Sequence, residues 1–319
     1  MNNKIFETFF DCGSSKIKAG AFNKDDSNNF FFEESQFSNE EINLEAQIEK
    51  ISSSLEKNTK EYLSDVNLMI DSSEMIPIGI SISKKLDGSI LKRNDIQFLV
   101  QDAKQQLLRN YFDYNIIHII IKNYKIDKSN YTFLPNDMTC NLISLDILFI
   151  CFPKKNIEYF KKKFFKLNIS VNQIFSSSYA RSINYKKNFP SIANIAFIDI
   201  GFNKTSITCF EFNEITFFDT IPVGGNHISK DISKILKISL SEAENLKLNF
   251  DKDEKLLKEK EISLDLIQQI IFARIEEILE LSSKSIELNL LSSAEYKIVL
   301  MGNGSIILDN KFKEKISFA

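Results

Sequence analysis

Two stretches decide how this chain folds: Asp11-Cys12-Gly13-Ser14-Ser15-Lys16 and Asp199-Ile200-Gly201-Phe202-Asn203-Lys204-Thr205. Each follows an apolar run, Ile5, Phe6, Phe9 and Phe10 in the first case and Ile195-Ala196-Phe197-Ile198 in the second. Each leads into an alternating stretch, through Ala21 in the first and through Ile207 and Cys209 in the second. Both read as a buried strand, a tight glycine turn and a return strand, with an aspartate where the first strand stops. Such a turn gathers backbone N–H groups and hydroxyls into one concavity, which suits a phosphate. A carboxylate beside it suits hydrated Mg²⁺, which prefers carboxylate, water and phosphate oxygens. One D-x-G copy alone is an ordinary hairpin. The repetition points to a nucleotide clamped between two similar half-molecules.

Composition sets the frame for that reading. At 319 residues and 43% hydrophobic, the chain can bury a large core and form more than one domain. Its 40 basic and 43 acidic residues give a net charge of −3, which leaves no general nucleic-acid footprint. Cys12, Cys140, Cys151 and Cys209 form no C-x-x-C pair and read as reduced, buried thiols. His118 and His227 are far apart and suggest no metal cluster; His118 lies in an Ile-rich strand and reads as structural. No stretch approaches the roughly 20 apolar residues of a membrane-spanning helix.

Between the hairpins, Leu44, Ile48, Ile51 and Leu55 mark a helix, and Ile76, Ile78, Ile80 and Ile82 a strand with one buried side. Leu86-Asp87-Gly88 reads as a turn opening a compact unit. That unit has a helix (Ile96, Leu99, Val100, Ala103, Leu107), a strand at 116–121, a turn at Pro135 and an alternating strand from Ile143 to Phe149. The helix after Pro153 carries Lys161-Lys162-Lys163 between Phe160 and Phe164. A basic run of that kind could touch acidic lipid, but a solvated face is the preferred reading. After the second hairpin come Ile221-Pro222-Val223-Gly224-Gly225, a helix through Asp231 and Leu236, and a helix around 242–248. A charged loop at 251–261 leads to an amphipathic helix from Leu264 to about Leu281. A strand at Ile298-Val299-Leu300 then runs into Met301-Gly302-Asn303-Gly304-Ser305.

In this order the motifs resemble the bacterial cell-division protein family FtsA, within the actin, Hsp70 and sugar-kinase superfamily of ATPases. Asp11 to Lys16 is similar to the family's first phosphate motif, D-I-G-T-T-K. The most discriminating likeness is Ile117-His118-Ile119-Ile120 with Tyr124-Lys125-Ile126-Asp127, Pro135 and Met138, which resembles a signature of FtsA's inserted subdomain, one that actin, Hsp70 and sugar kinases lack. Ile221 to Ile232 resembles the second connecting segment, Ala243-Glu244-Asn245-Leu246-Lys247 the A-E-x-L-K motif, and Ile271 to Ile278 the I-I-E-A-R-x-E-E-I helix. Met301 to Ser305 resembles the adenosine motif G-G-G-S.

The resemblance implies an α/β, actin-like ATPase fold with duplicated strand-hairpin domains around a nucleotide cleft. It implies a first core subdomain over 1–83 and 162–190, the inserted subdomain over 84–161, a second core subdomain over 191–228 and 276–319, and a reduced small subdomain over 229–275. It further implies ATP and Mg²⁺ as cofactors. Asp11 and Asp199 would be the catalytic and metal-organising carboxylates. Gly13, Ser14, Ser15 and Lys16 would hold the β-phosphate side, with Gly201, Lys204, Thr205, Gly224 and Gly225 on the second loop and connecting segment. Glu244 and Lys247 would meet the ribose or adenine, while Gly302, Gly304 and Ser305 let backbone lie against the base. Arg274 would meet the acidic C-terminal tail of FtsZ. The implied role is a scaffold that polymerises with itself and binds FtsZ and later division proteins, the latter through the inserted subdomain. It would work in the bacterial cytoplasm, at the cytoplasmic face of the inner membrane at the septum. It would be at most a weak ATPase.

Three departures from the family pattern are legible. Phe202, Asn203 and Lys204 stand where the family has G-G-T; Lys204 could offer a phosphate a cation. The 251–261 region is short. The family's last strand and helix, its linker and its amphipathic membrane helix are expected to be missing from this sequence, so that membrane contact would be only indirect. Two alternatives stay open: a PilM-like ATPase of pilus assembly, and an actin-like protein that has lost its nucleotide. A sugar kinase or chaperone is disfavoured, since no residue can be assigned as a substrate-hydroxyl base and no substrate-binding domain is expected.

Overall fold

The computed structural model describes residues 5–37, 43–135, 138–249, 263–289 and 295–304. The charged loop at 251–261, Ser305 and the tail at 309–319 therefore lie outside the described residues. The chain divides into two compact units. The first comprises Met1–Phe37, Ile42–Asn188 and Glu211–Thr216; the second comprises Ser38–Glu41, Phe189–Phe210 and Phe217–Ala319.

The first unit is built on the N-terminal hairpin. Strands β1 (Phe6–Cys12) and β2 (Lys16–Asn23) pair antiparallel, with Phe10 opposite Ala19 and Cys12 opposite Ile17. Because successive side chains alternate between faces, Thr8, Phe10, Cys12, Ile17, Ala19 and Ala21 share one buried face. Asp11 ends up on the other. Strand β3 (Phe30–Gln36) flanks β2, and α1 (Leu44–Thr59) buries Leu44, Ile48, Ile51 and Leu55, the stripe its sequence spacing requires. Strand β4 (Asp65–Ile70) runs parallel to β1.

A second sheet follows in the same unit. Strand β5 (Ile76–Ile90) passes without a break through the expected turn at Leu86-Asp87-Gly88. The glycine punctuation does mark positive φ, at Asp87 (48°) and Gly88 (83°), but the chain resolves it as a bulge between Lys85 and Ser89. Helix α2 (Arg93–Asn110) packs Leu99, Ala103 and Leu107 against Ile143, Leu145, Ile147 and Phe149. With β6 (Tyr114–Ile126), β7 (Ser129–Tyr131) and β8 (Thr139–Pro153), the sheet order is β5-β8-β6-β7. Helix α3 (Lys154–Phe165) returns the chain to the first sheet, where Phe164 meets Phe10 edge-on at 5.1 Å. Strand β9 (Ser170–Ser176) completes that sheet in the order β3-β2-β1-β4-β9, and α4 (Ser177–Lys186) follows at once.

The second unit repeats the opening. Strands β10 (Asn194–Ile200), β11 (Thr205–Glu211), β12 (Glu214–Ile221) and β13 (Lys297–Met301) form a sheet in the order β12-β11-β10-β13, with Asp199 opposite Met301 in the parallel β10–β13 pair. Ile198 and Ile200 pack under Ile228 and Ile232 of α5 (Gly225–Leu236), Ala243 and Leu246 of α6 (Leu240–Asn249), and Ile267, Ile271, Ile275 and Ile278 of α7 (Leu264–Asn289). Helix α7 runs eight residues past the expected end at Leu281. Its buried stripe continues through Ser282 and Ile286, and the Ser282 hydroxyl is satisfied inside by the Ile278 carbonyl at 2.7 Å.

All four cysteines are buried thiols outside any disulfide. Burial pushes the Cys12 thiol far above its ordinary range and that of Cys151 up to about 12, which leaves both as unreactive thiols. Among the described residues no helix is long and apolar enough to cross a membrane.

Candidate nucleotide site

The two hairpin turns have one geometry. In the second, the Gly201 N–H donates to the Lys204 carbonyl at 2.8 Å. A side chain at Gly201 would place Cβ 2.9 Å from that oxygen, and at Gly13 it would stand 3.0 Å from the Lys16 carbonyl. The duplication read from sequence thus reaches the turn backbone. Asp11 and Asp199 hold equivalent places at the ends of β1 and β10.

In the second unit the glycines gather around the end of β10. A Cβ at Gly224 would lie 2.6 Å from the Gly201 carbonyl oxygen, 2.7 Å from the Lys204 nitrogen and 2.8 Å from the Phe202 oxygen. Gly302 has φ +87°, and a side chain there would overlap Asp199 Oδ1 and the Ile200 carbonyl. Gly304 lies on Ile200 and within 3.8 Å of the space a Gly225 Cβ would fill. Asp199, Gly201, Gly224, Gly225, Gly302 and Gly304 therefore surround one small volume of backbone, and Asp199 itself is buried.

Lysine 247 closes this volume. Its ammonium donates to the Gly225 carbonyl at 3.0 Å, to Ser229 Oγ at 2.9 Å and to Glu244 Oε2 at 2.6 Å, with the Phe202 ring 5.8 Å away. Burial lowers its pKa, and the hydrogen bond to Glu244 opposes that shift. Lys204 is also buried and donates to the Ser206 hydroxyl. Thr205 donates to the Val223 carbonyl at 2.8 Å, and Lys16 of the first hairpin faces Glu34 at 3.3 Å. The side chains expected to reach phosphate are thus turned to protein partners.

The N-terminus of α5 is committed in the same way. A helix start leaves four N–H groups without helical partners, which makes it a natural anion site. Here Gly225 donates to the Gly201 carbonyl at 2.9 Å, Asn226 to the Phe202 carbonyl at 2.7 Å, and His227 to the Gly224 carbonyl at 2.9 Å. Gly224 donates to His227 Nδ1 at 3.1 Å. The helix start clamps the hairpin turn.

The first unit has a corresponding arrangement that the sequence did not announce. Ser177 donates to Asp11 Oδ1 at 2.7 Å. Asp71, just past β4, accepts from Ser176 Oγ at 2.8 Å and from the Ser178 N–H at 2.9 Å, placing a carboxylate on the N-terminus of α4. His118 reaches across from β6, accepting from the Ser176 N–H at 3.0 Å and stacking on Tyr179 at 4.1 Å. Burial lowers its pKa to about 4. The available signal was Ser176-Ser177-Ser178 after an apolar strand, a helix-capping pattern.

Arg274 stands on α7 and binds Asp231 with both arms of its fork, Nε to Oδ2 at 2.7 Å and Nη2 to Oδ1 at 3.0 Å, and Glu277 with Nη1. Its carboxylate-binding fork is already occupied within the unit.

These residues fit Mg²⁺ and a nucleotide in part. The glycines pack backbone against backbone around the end of β10, and each hairpin sets one carboxylate beside a turn. Among the described residues no three His, Cys, Asp or Glu side chains form a full protein cage for a metal, so a Mg²⁺ here would take phosphate and water oxygens as its other ligands.

Comparisons with known proteins agree with the motif reading. The family model "Cell division protein FtsA" matches residues 196–293. The cell division protein FtsA of Agrobacterium fabrum is 24% identical over 238 residues, covering 69% of this chain and 53% of that protein. FtsA of Streptococcus pneumoniae is 32% identical over 124 residues, 34% of this chain and 27% of its own length. The chain spans about half the length, or less, of these curated relatives. Among solved structures, the PilM-PilN type IV pilus biogenesis complex aligns with a TM-score of 0.69 at 10% identity, over 97% of this chain and 84% of that one. The ethanolamine utilization protein EutJ of Carboxydothermus hydrogenoformans aligns at 0.52 and 11% identity, over 98% and 81%. The resemblance to FtsA is thus shown in sequence, and the fold is that of the actin-like ATPases.

Proposed function

We propose that this chain is an FtsA-type cell-division scaffold that binds ATP with Mg²⁺ and hydrolyses it slowly or not at all. The observation that carries the reading is the convergence of Asp199, Gly201, Gly224, Gly225 and Lys247, all inside the residues 196–293 that the FtsA model matches, with Gly302 and Gly304 of the following strand end packed on them. Bound Mg²⁺ would supply a positive charge that neutralises phosphate oxygens; Asp11 and Asp199 would orient its waters. The turns after Gly13 and Gly201 would hold phosphate by backbone N–H groups. Glu244 and Lys247 would flank the nucleoside, and the Gly302 backbone would lie against the base. Slow hydrolysis follows from Phe202 and Lys204, whose side chains are turned to Lys247 and Ser206, so that the second loop offers little to position an attacking water.

In this role the chain would form filaments with further copies of itself. It would receive the FtsZ tail on the surface around α7, contact later division proteins through the inserted subdomain at 84–161, and act at the cytoplasmic face of the inner membrane at the septum. The remaining divisions at 1–83 with 162–190, 191–228 with 276–319, and 229–275 belong to the same reading. A second reading, a PilM-like pilus-assembly ATPase, is favoured by the TM-score of 0.69.

Fluorescence anisotropy with a labelled FtsZ C-terminal peptide and with labelled PilN distinguishes the two. Binding of the FtsZ peptide alone supports the first reading. Binding of PilN alone replaces it with the second.

A further inference from the structure

The lysine run at 161–163 has no place in the nucleotide reading, and the fold sorts its members. Lys163 is drawn inward to Glu45 at 2.7 Å, and Lys166 reaches the same carboxylate at 2.8 Å. Lys161 and Lys162 are exposed and have no ion-pair partner among the described residues, Glu158 of the preceding turn included. Phe164 is fully buried, but Phe165 is 77% exposed, on the same helix end as the two lysines. Lys161, Lys162 and Phe165 line a shallow groove whose other wall is Ile169, Ser170 and Val171. Ser170 and Val171 of that wall begin β9, the terminal strand of the five-stranded sheet, whose far end at Ser176 is engaged by His118 of β6, so one flank of the groove is the start of a sheet edge.

We propose that this groove is a docking site for an extended acidic segment of a partner protein, added as a strand along β9. Each wall selects one property of the occupant. A sheet edge recruits extended backbone by main-chain hydrogen bonds and reads alternate side chains in pockets. Phe165, Ile169 and Val171 offer an apolar floor for one set of side chains. Lys161 and Lys162 offer two free cations for acidic neighbours, with Glu45 already engaged by Lys163 and Lys166. The concave shape and the strand edge favour a peptide over a lipid surface, which would meet a protruding basic helix face instead.

The test is anisotropy with a fluorescein-labelled octapeptide, Asp-Ile-Glu-Phe-Asp-Val-Glu-Leu, against the full chain. A lysine-for-acid version of the peptide and vesicles of phosphatidylglycerol and phosphatidylcholine serve as controls. The acidic peptide binds, the basic one does not, and affinity falls as salt shortens the screening length from about 10 Å at 0.1 M. Lys161→Glu with Lys162→Glu weakens binding by about tenfold or more, and Phe165→Ala, at an exposed position, weakens it without loss of fold by circular dichroism. Absence of peptide binding, equal binding by the lysine variant, or vesicle binding through the same residues with none of the peptide overturns the proposal.

Discussion

Gly224→Ala isolates the clamp between α5 and the second hairpin. The glycine has φ −161° and ψ −168°, extended backbone open to any residue, so alanine meets no conformational penalty there. The penalty is steric, because the added carbon would stand 2.6 to 2.8 Å from three backbone atoms of the hairpin turn. Backbone cannot swing aside as a long side chain can, so the helix start must retreat by about 0.5 Å or more, an overpacking strain of roughly 1–3 kcal/mol. That retreat stretches the Gly225–Gly201 and Asn226–Phe202 hydrogen bonds, each with a net value of about 1 kcal/mol. Reduced freedom of the unfolded chain returns about 0.4–1 kcal/mol. The net expectation is a loss of about 2–4 kcal/mol on these terms. Urea unfolding followed by circular dichroism measures it, with amide hydrogen exchange at Gly225 and Asn226 accelerating in parallel. Gly79→Ala is the control, since its added carbon meets nothing within 4 Å. A Gly224→Ala protein within about 0.5 kcal/mol of wild type, the range of a neutral surface change, would refute the clamp.

His118 gives a pH signature. Its folded pKa of about 4 lies below the ordinary value of 6.5, so the unfolded chain binds the extra proton between those values. Stability is therefore intact above pH 6.5 and falls as pH drops towards 4, by up to about 3 kcal/mol. His118→Gln, which can keep an acceptor for Ser176, should remove this component from urea midpoints measured at pH 4.5 and 7. Arg274→Ala should destabilise by about 1–2 kcal/mol in urea unfolding, because Asp231 loses a bidentate partner in a partly exposed setting. FtsZ-peptide affinity unchanged in the folded Arg274→Ala protein would assign that arginine to structure alone. Phe202→Gly with Lys204→Thr should raise ATP turnover in a phosphate-release assay; wild-type rates of the order of 1–100 s⁻¹, as in efficient phosphoryl-transfer enzymes, would show that the native loop is not impaired.

Much of the site was legible because hairpins, glycines and buried helical stripes are local patterns. The Asp-x-Gly turns, the α1 stripe and the Gly224-Gly225 helix start each follow from residues close in sequence. Strands β3, β4, β9 and β12 lacked a comparable local signature, and α4 was marked only by the Ser176-Ser177-Ser178 cap. Phe30-Phe31-Phe32-Glu33-Glu34 becomes a strand by pairing with β2, and β9 by pairing with β4. The contact of Ser177 with Asp11 joins residues 166 apart, and that of His118 with Ser176 crosses from one sheet to another. The engagement of Lys16 by Glu34 and of Arg274 by Asp231 is likewise tertiary, whereas Lys204 meets Ser206 two residues along the chain. Residue type predicted what these cations could bind, while packing decided what they do bind.

The proposed function requires a magnesium nucleotide, and Asp11→Asn tests that requirement most directly. The amide oxygen can still accept from Ser177, so the local hydrogen bond survives while the negative charge is lost. Titration with a fluorescent ATP analogue, with Mg²⁺ and again with EDTA, reads the consequence. The account predicts tight wild-type binding that depends on Mg²⁺, and in Asp11→Asn a loss of about tenfold or more that abolishes the metal dependence. Equal binding by both proteins, with or without Mg²⁺, would contradict it.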